Sequence, residues 1–297
     1  MTGISSKAIR GNLPFVIRQS CEQHEVVGTL VRQCPMSDGS VWFEYFFTAS
    51  GALLRFPALV DFSFDPAALE LGIIATPVLG LDENAVAQIF EHHVMPMLLA
   101  DSGHLMVHGA AVDVGGCATL FLGASGRGKS TLATSFASAG LPFLSDDSIR
   151  LEMAGSKFFA HPGHPTVRLW RDSDEALFGE RRPERIPVSY TSKSRYAASV
   201  DLLHAREPLL VKAVYLLANE GVDSVFISPL AANHAMMEFF EHVFILDTRS
   251  STILAQHFQR LATFANNAHT FMLDYPRTYA RLPEVRAAIV HHALSLP

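Results

Sequence analysis

The stretch Leu120-Phe-Leu-Gly-Ala-Ser-Gly-Arg-Gly-Lys-Ser-Thr131 decides the fold of this 297-residue chain. An apolar segment comes first, a glycine-rich segment follows from Gly123 to Gly128, and a helical pattern of apolar residues begins at Lys129. This order matches G-x-x-x-x-G-K-[ST] with a strand before the loop and a helix after it. The sequence therefore predicts a P-loop that binds the phosphates of a nucleotide.

The chemistry of a phosphate site explains the residue types in this loop. Glycine accepts backbone angles that residues with a Cβ resist, so successive N–H groups can curl around a polyphosphate at the positive end of a helix. Lys129 would neutralise the β- and γ-phosphates, and the Ser130 hydroxyl would hold Mg²⁺. The residues expected to bind the nucleotide here are Gly123, Ala124, Ser125, Gly126, Arg127, Gly128, Lys129, Ser130 and Thr131.

Net charge, cysteine spacing and apolar runs limit which partners and which cellular location are expected. The formal net charge of −6 gives no basic surface in bulk, so nucleic acid is not expected as a partner. Cys21, Cys34 and Cys117 are widely spaced and belong to no motif, which is typical of a reducing compartment. The sequence contains no N-terminal apolar h-region and no run long enough to span a membrane, so no membrane association and a cytoplasmic location are expected.

Two consecutive carboxylates follow the loop at a short interval. Between Lys129 and Asp146 there is room for one helix of about ten residues, a stop at Gly140 and a short strand over residues 142–145. Asp146 and Asp147 at a strand end point to opposite sides, so one can reach Mg²⁺ or an attacking hydroxyl while the other supports it. Ser130 and Asp146 are the candidate metal ligands, but the sequence does not decide which aspartate is the base and which binds metal.

An ordered set of segments resembles a known enzyme family. The string Val107-His108-Gly109-Ala-Ala-Val-Asp-Val-Gly-Gly, then Gly-Ala-Ser-Gly-Arg-Gly-Lys-Ser, then Leu144-Ser-Asp146-Asp147 is similar to the catalytic core of the HPr serine kinases over roughly residues 104–152. Those enzymes share a fold with ATP-dependent phosphoenolpyruvate carboxykinases. The resemblance implies an α/β P-loop kinase core, ATP as phosphate donor, and a place for His108 near the transferred phosphate.

The sequence also departs from that family. Thr131 stands where HPr kinases commonly carry a glutamate that contacts magnesium, and their signature for the phosphorylase reaction is not recognisable. In its region, His161-Pro-Gly-His-Pro-Thr-Val-Arg-Leu-Trp170 looks like a segment of HPr-kinase-related proteins. Some of those accompany pathways that tailor ribosomally made peptides, lasso peptides among them.

Three further cations are candidates for the site. Arg168 could clamp phosphate or substrate in the fixed fork of its guanidinium, with a surface ion pair as the alternative. Lys193 and Arg195 are two residues apart in an extended segment, which predicts that they share one face. The related proteins carry a Lys-x-Arg element at this place, which suggests contact with the nucleotide or the moving phosphate; ordinary surface charge is the alternative. His161 and His164 lie in a rigid proline turn without a third ligand, so zinc is not expected.

The rest of the chain predicts two domains, residues 1–101 and 102–297. Residues 41–48, 53–56 and 60–64 have the pattern of strands with aromatic core residues, and a helix capped by Asp82 and interrupted at Pro96 follows. Residues 104–116 are expected to form a strand hairpin, and the charged residues 171–187 a helix and loop over the site. The segments expected to be architectural are strands at 209–217, 225–228 and 271–275 and helices at 231–242, 251–265 and 283–294.

These observations favour an ATP-dependent serine kinase that acts on a peptide or small protein. Two alternatives stay open: a nucleotide-binding regulatory module without transfer activity, and a kinase for a small metabolite. HPr kinases form hexamers, which leaves a homo-oligomer open for this chain.

Overall fold

The computed structural model describes residues 15–36, 38–179, 183–218 and 221–297. Its class is mixed α/β, with sheets of six, nine and three strands, which confirms the predicted class. The chain forms two compact units. One runs through Gly103 and also includes Ser189–Thr191 and Ile245–Gln256, and the other comprises the remaining residues from His104 onward. No sequence pattern indicated the two returning segments, and the predicted boundary at residue 101 stays a prediction.

The first unit contains a six-stranded sheet in the order β1-β6-β5-β4-β3-β2. Only the outer pair β1–β6 is parallel. Alternate residues of the middle strands are buried, as expected for a sheet with one covered face, and Leu54, Phe56 and Phe62 are fully buried there. The strands are β1 (Phe15–Ile17), β2 (Gly28–Pro35), β3 (Val41–Thr48), β4 (Gly51–Phe56), β5 (Val60–Phe64) and β6 (Ile73–Pro77).

The helix of this unit follows the sequence prediction closely. Asp82 accepts a hydrogen bond from the Ala85 N–H at 2.9 Å, which confirms the predicted N-cap. The interruption expected at Pro96 is a π-helical segment, Phe90–Val94, between α1 (Glu83–Ile89) and α2 (Met95–Asp101). A wider turn accommodates a residue that lacks an N–H. The Phe90 ring packs on the sheet, 6.0 Å from Phe62.

The second unit is built on a nine-stranded sheet. Its path runs β10-β8-β9-β16-β12-β11-β7, and β18 and β17 continue from β16. These strands are β7 (Leu105–Val107), β8 (Gly109–Val114), β9 (Cys117–Leu122), β10 (Phe143–Ser145), β11 (Ile149–Ala154), β12 (Lys157–Ala160), β16 (Leu209–Leu217), β17 (Phe226–Pro229) and β18 (Thr270–Asp274). A separate sheet contains β13 (Thr166–Leu169), β14 (Arg185–Ile186) and β15 (Ser194–Ala197).

Five further helices occur in the described chain after β9. They are α3 (Lys129–Ala137), α4 (Arg171–Phe178), α5 (Ala232–Phe240), α6 (Ser251–Asn267) and α7 (Leu282–Ser295). The late strands and helices confirm the architectural predictions, with ends that differ by a few residues. No helix in the described ranges is both long and apolar enough to cross a bilayer.

Apolar side chains bury both faces of the central strand β9. Phe121 lies in one buried cluster with Phe136 of α3, whereas Leu120 and Leu122 lie in another with Phe264 of α6. Alternation along the strand places these side chains on opposite faces of the sheet. The strand that precedes the glycine-rich loop is therefore fixed from both sides.

Strand direction brings three loops to one edge of this sheet. β16 is parallel to both β9 and β18, and β8 is antiparallel to both β9 and β10. β9, β10 and β18 therefore all run in the same direction. Their carboxyl ends meet at the edge where open α/β sheets bind ligands.

The hairpin expected over residues 104–116 is wrong in its first half. β7 pairs with β11, and only β8 forms a hairpin, with β9. The lack of a side chain at Gly109 allows β8 to approach β9 closely at this point, because a Cβ there would lie 2.4 Å from the Leu122 Cδ2 atom. His108 stands at this switch between β7 and β8.

Candidate functional site

A cleft of about 310 Å³ lies within the second unit. It is lined by the glycine-rich loop after β9, by Asp147 after β10 and by Tyr275–Tyr279 after β18. His108, Lys193 and residues 168–170, 172 and 173 complete its walls. The cleft therefore sits where the strand directions place it.

The glycine-rich loop joins β9 to α3 in a conformation that needs glycine. Gly126 and Gly128 have φ angles of 82° and 90°, in the left-handed region, and Gly128 is the N-cap of α3. A Cβ at Gly128 would lie 2.7 Å from the Tyr275 hydroxyl, so a side chain there is also excluded by space. N–H groups in the first turn of any helix have no intrahelical partner and attract anions. The start of α3 is thus suited to phosphate.

Lys129 supplies a buried positive charge beside this loop. Its Nζ donates to the carbonyl oxygens of Gly123 at 2.6 Å and Ala124 at 2.9 Å, and the residue is 7% exposed. Burial lowers the pKa of Lys129 to about 8, although Asp147 and Asp146 act in the opposite direction. The ammonium is therefore charged at neutral pH in a poorly solvated place, where an anion is strongly attracted.

Ser130 and Asp146 form a pair of hard oxygen donors. The Ser130 hydroxyl donates to Asp146 Oδ1 at 2.8 Å, and the Arg168 backbone N–H donates to Oδ2 at 3.0 Å. Burial, and then the neighbouring Asp147, raises the pKa of Asp146 to about 6. The described residues contain no cluster of three or more His, Cys, Asp or Glu side chains that could hold a metal. Magnesium uses one or two carboxylates together with phosphate oxygens and water, so this donor set fits Mg²⁺ beside a nucleotide.

Asp147 is held in a strained backbone conformation by its partners. Its φ is 69°, and only Ala58 shares a positive φ among the non-glycine residues of the described ranges. Its Oδ2 accepts from Arg168 Nε at 2.5 Å, and the two side chains are 8% and 9% exposed. Burial alone would raise the pKa of Asp147, but the Arg168 guanidinium holds it well below the usual range. Asp147 is therefore ionised and fixed in the cleft.

His108 is locked to the same aspartate through the main chain. Its Nδ1 lies 2.7 Å from the Asp147 carbonyl oxygen, which can only accept, so Nδ1 carries the proton. Burial, with Lys129 nearby, lowers the pKa of His108 to about 4, which leaves the ring neutral at pH 7. Its Nε2 is then the acceptor nitrogen. His108, Asp147 and Arg168 together are called the acidic wall below.

The two cations of the 193–195 element go to different places. Lys193 lines the cleft with its Nζ 5.2 Å from the ring centroid of Trp170. Arg195 does not line the cleft as the described residues define it; its Nε donates to Thr166 Oγ1 at 3.0 Å. Lys193 precedes β15, so strand alternation does not place it on the face of Arg195. Contact of Arg195 with a nucleotide stays a prediction.

Sequence reasoning missed the residues after β18 that line the cleft. The Arg277 guanidinium lies 4.0 Å from the Tyr275 ring centroid and donates to the Arg127 carbonyl at 3.0 Å. The Tyr279 hydroxyl donates to Asp172 Oδ2 at 2.7 Å. Tyr275–Tyr279 together with Asp172 and Ser173 are called the C-terminal wall below. The available signal was a tyrosine-rich segment directly after a strand, but only the strand order shows that this segment reaches the cleft.

A chain of hydroxyls links the C-terminal wall to the glycine-rich loop. Thr131 Oγ1 lies 3.1 Å from Ser173 Oγ, which lies 3.1 Å from the Tyr279 hydroxyl. Thr131 therefore contacts this wall, while the preceding Ser130 contacts Asp146. The two sides of the first turn of α3 therefore contact different groups.

Two predicted features lie beside the cleft or partly outside the described residues. Gly163 packs closely against β10, since a Cβ there would lie 2.1 Å from Ser145 Oγ. The 161–165 turn therefore lies next to the strand that ends just before Asp146 and Asp147. His161 contacts Glu152, with Nε2 and Oε2 2.8 Å apart. The charged stretch 171–187 begins as α4, but residues 180–182 of the predicted covering loop lie outside the described residues.

No family model matches this chain, and no curated protein matches it. Among solved structures, the chain is similar to the Hpr(Ser) kinase/phosphatase from Coxiella burnetii, with a TM-score of 0.35 and 10% identity. That match covers 64% of this chain and 96% of the other. A likeness of this size is too remote to assign a family.

Proposed function

We propose that this protein is an ATP-dependent phosphotransferase that moves the γ-phosphoryl group of ATP to a hydroxyl. The observation that carries the proposal is a cleft lined by the glycine-rich loop, the buried Lys129 and Asp147, with Asp146 behind it as the hydrogen-bond partner of Ser130. Each part matches a need of phosphoryl transfer: N–H donors and a cation for the phosphates, a metal site, and a carboxylate for the incoming hydroxyl.

The loop and Lys129 would bind the triphosphate. The first-turn N–H groups of α3 face the anion, and Lys129 can exchange its bonds to the Gly123 and Ala124 carbonyls for phosphate oxygens. Ser130 and Asp146 would hold Mg²⁺, which when bound spreads the negative charge of the phosphates. This division leaves Asp147 for the acceptor, which the sequence alone did not decide.

The transfer step needs one new bond and one proton acceptor. The acceptor hydroxyl oxygen bonds to the γ-phosphorus, the bond from that phosphorus to the β–γ bridging oxygen breaks, and ADP leaves. Asp147 orients the hydroxyl and takes its proton. A carboxylate held by Arg168 is a weak base, so the proton passes after the hydroxyl has become acidic through bonding to phosphorus. The neutral His108 adds an acceptor nitrogen beside it.

Cations would stabilise the charge that the moving group carries. Arg168 fixes Asp147 and lines the cleft, and Lys193, just before β15, lines it as well. Fixed charges in a poorly solvated site stabilise the transition state without reorganisation at the moment of reaction. Arg195 donates to Thr166 and does not line the cleft as the described residues define it.

The class of acceptor is inferred from the sequence resemblance alone, because no contact in the cleft identifies it. We propose a serine of a peptide or small protein. The test uses γ-labelled ATP with magnesium, the purified full chain and short serine peptides, and it compares wild type with Lys129→Ala and Asp147→Asn. Matched controls are Lys157→Ala and Asp201→Asn, since both residues are exposed and neither lines the cleft.

Transfer to peptide that falls about a thousandfold in both site variants, and stays unchanged in the controls, would support the proposal. Transfer that survives both site changes would reject this site. ATP binding without labelling of any acceptor would favour the regulatory module, and labelling of small metabolites alone would favour the metabolite kinase.

A further inference from the structure

The two sides of the first turn of α3 give a bound triphosphate a direction. Ser130 faces Asp146, and the acidic wall lies beyond that pair. In phosphate loops of this pattern the lysine and the metal serve the β- and γ-phosphates. Thr131 is one residue further along the helix and faces Ser173. The α-phosphate, and the nucleoside attached to it, therefore point toward the C-terminal wall.

The C-terminal wall presents a flat cationic surface. The Arg277 guanidinium lies over the Tyr275 ring and donates to the carbonyl oxygens of Arg127 and Ala218, at 3.0 and 2.6 Å. The Asp274 carboxylate, 3.3 Å away, is a fourth partner, and together these contacts fix the plane of the group. The side chain is 30% exposed and lines the cleft, so a ligand can reach it. Guanidinium planes stack on nucleobases as they do on aromatic rings.

The same wall carries groups that suit a sugar. The Tyr279 hydroxyl and the Asp172 carboxylate, 2.7 Å apart, line the cleft near Ser173. Hydroxyls and a carboxylate pair well with ribose hydroxyls, which donate and accept. A surface that can stack a nucleobase and a group of partners for ribose thus lie next to each other, in the direction in which the α-phosphate is expected to point.

We propose that the C-terminal wall is the nucleoside subsite, with the base stacked on the Arg277 guanidinium and the ribose hydroxyls beside Tyr279 and Asp172. This inference rests on the proposed function, because it needs a triphosphate on the loop. It assigns a role to a segment that carries no motif. Stacking is tolerant of base identity, so both purine triphosphates are expected to bind.

The test measures Mg²⁺–ATP and Mg²⁺–tripolyphosphate affinity by calorimetry on the full chain. The Arg277→Lys variant keeps the charge and loses the plane. Its ATP affinity should fall about tenfold, the scale of one stacking contact, while its tripolyphosphate affinity stays within about twofold of wild type. Arg281→Lys is the matched control, since Arg281 pairs with Glu284 and does not line the cleft.

The remaining outcomes overturn the inference in different ways. An equal loss for both ligands in Arg277→Lys would mean that Arg277 only supports the loop through Arg127. An unchanged ATP affinity would place the base elsewhere. If wild type bound no tripolyphosphate, the proposed function itself would fail, and the subsite with it.

Discussion

The acidic wall and the C-terminal wall hold their charges in opposite ways. On the acidic wall, the Arg168 and Asp147 side chains are 9% and 8% exposed and contact each other directly. On the C-terminal wall, Asp172 is exposed and meets a neutral hydroxyl, while Arg277, 30% exposed, contacts a ring and carbonyl oxygens and pairs with Asp274 at 3.3 Å. A buried charge is tolerated only with a partner, whereas an exposed one is solvated whatever stands beside it.

Substitutions on the acidic wall should therefore be severe, and those on the C-terminal wall mild. A buried ion pair fixes two side chains in one geometry, and removal of one partner leaves the other charge poorly solvated. That rigidity suits atoms that must meet a reacting phosphorus. A solvated wall adjusts at small energetic cost, which suits a part of the ligand that only needs to be held.

The largest effect is expected when the buried pair is broken. Arg168→Met should lower the free energy of unfolding by about 3–5 kcal/mol, because the Asp147 carboxylate stays buried without its guanidinium. Transfer activity should be lost as well. Chemical denaturation at pH 7 measures the first effect, and the labelled-ATP assay measures the second.

A second variant separates charge from packing. Arg168→Met combined with Asp147→Asn removes both charges and should recover most of the lost stability but none of the activity. Arg171→Met is the exposed control, since its pair with Glu175 has side chains 88% and 53% exposed and its loss should leave stability almost unchanged. Equal losses in Arg168→Met and Arg171→Met would show that burial does not strengthen the dependence of the Asp147 carboxylate on its partner.

A smaller effect is expected from pH, acting on the cation between the walls. Burial lowers the pKa of Lys129 to about 8, so its ammonium loses its proton as pH rises through that value. At pH 9 only about a tenth of the free protein carries the charge, so Mg²⁺–ATP affinity should fall about tenfold between pH 7 and pH 9. Calorimetry in buffers of different ionisation enthalpy should also detect proton uptake on binding at pH 9.

Lys129→Arg provides the control for this titration. A guanidinium stays charged across the range, so the affinity of that variant should be nearly independent of pH, whatever its absolute value. If the wild-type affinity were flat between pH 7 and pH 9, the Lys129 ammonium would be better solvated than its burial indicates.

The sequence predicted the acidic side of the site much better than the other side. The loop, its helix and the aspartates occupy one short run, so local patterns of glycine, apolar residues and capping place them together. Arg277 and Arg127 are 150 positions apart and meet only because β18 and β9 flank β16 in parallel. No local pattern encodes that strand order.

Two other details show the same limit. Lys193 and Arg195 were assigned to one face by the two-residue period, which holds only within a strand; β15 begins at Ser194, so this assignment stays a prediction. The hairpin over residues 104–116 was misread because β7 pairs with β11, a choice set by long-range contacts. In the first unit, by contrast, the Asp82 cap and the strands β3, β4 and β5 depend on neighbours in sequence and were predicted well.

The smallest effect is expected at the exposed end of the C-terminal wall. Tyr279→Phe removes the hydroxyl that donates to Asp172 at 2.7 Å. Water replaces the lost hydrogen bond to an exposed carboxylate, so stability should change by less than about 0.5 kcal/mol. ATP affinity should fall only about threefold, the scale of one net hydrogen bond, while tripolyphosphate affinity should not change. Calorimetry with both ligands measures the two affinities.

An independent readout keeps this small effect interpretable. The hydrogen bond from Tyr279 lowers the pKa of the Asp172 carboxyl, so that pKa should rise toward its ordinary value in Tyr279→Phe, as NMR titration would show. A shifted Asp172 pKa with unchanged ATP affinity would mean that the ribose does not contact this hydroxyl. The C-terminal wall would then bind only the base. A loss of tripolyphosphate affinity would instead mean that the Thr131–Ser173–Tyr279 chain supports the phosphate loop, and the two walls would then act as one.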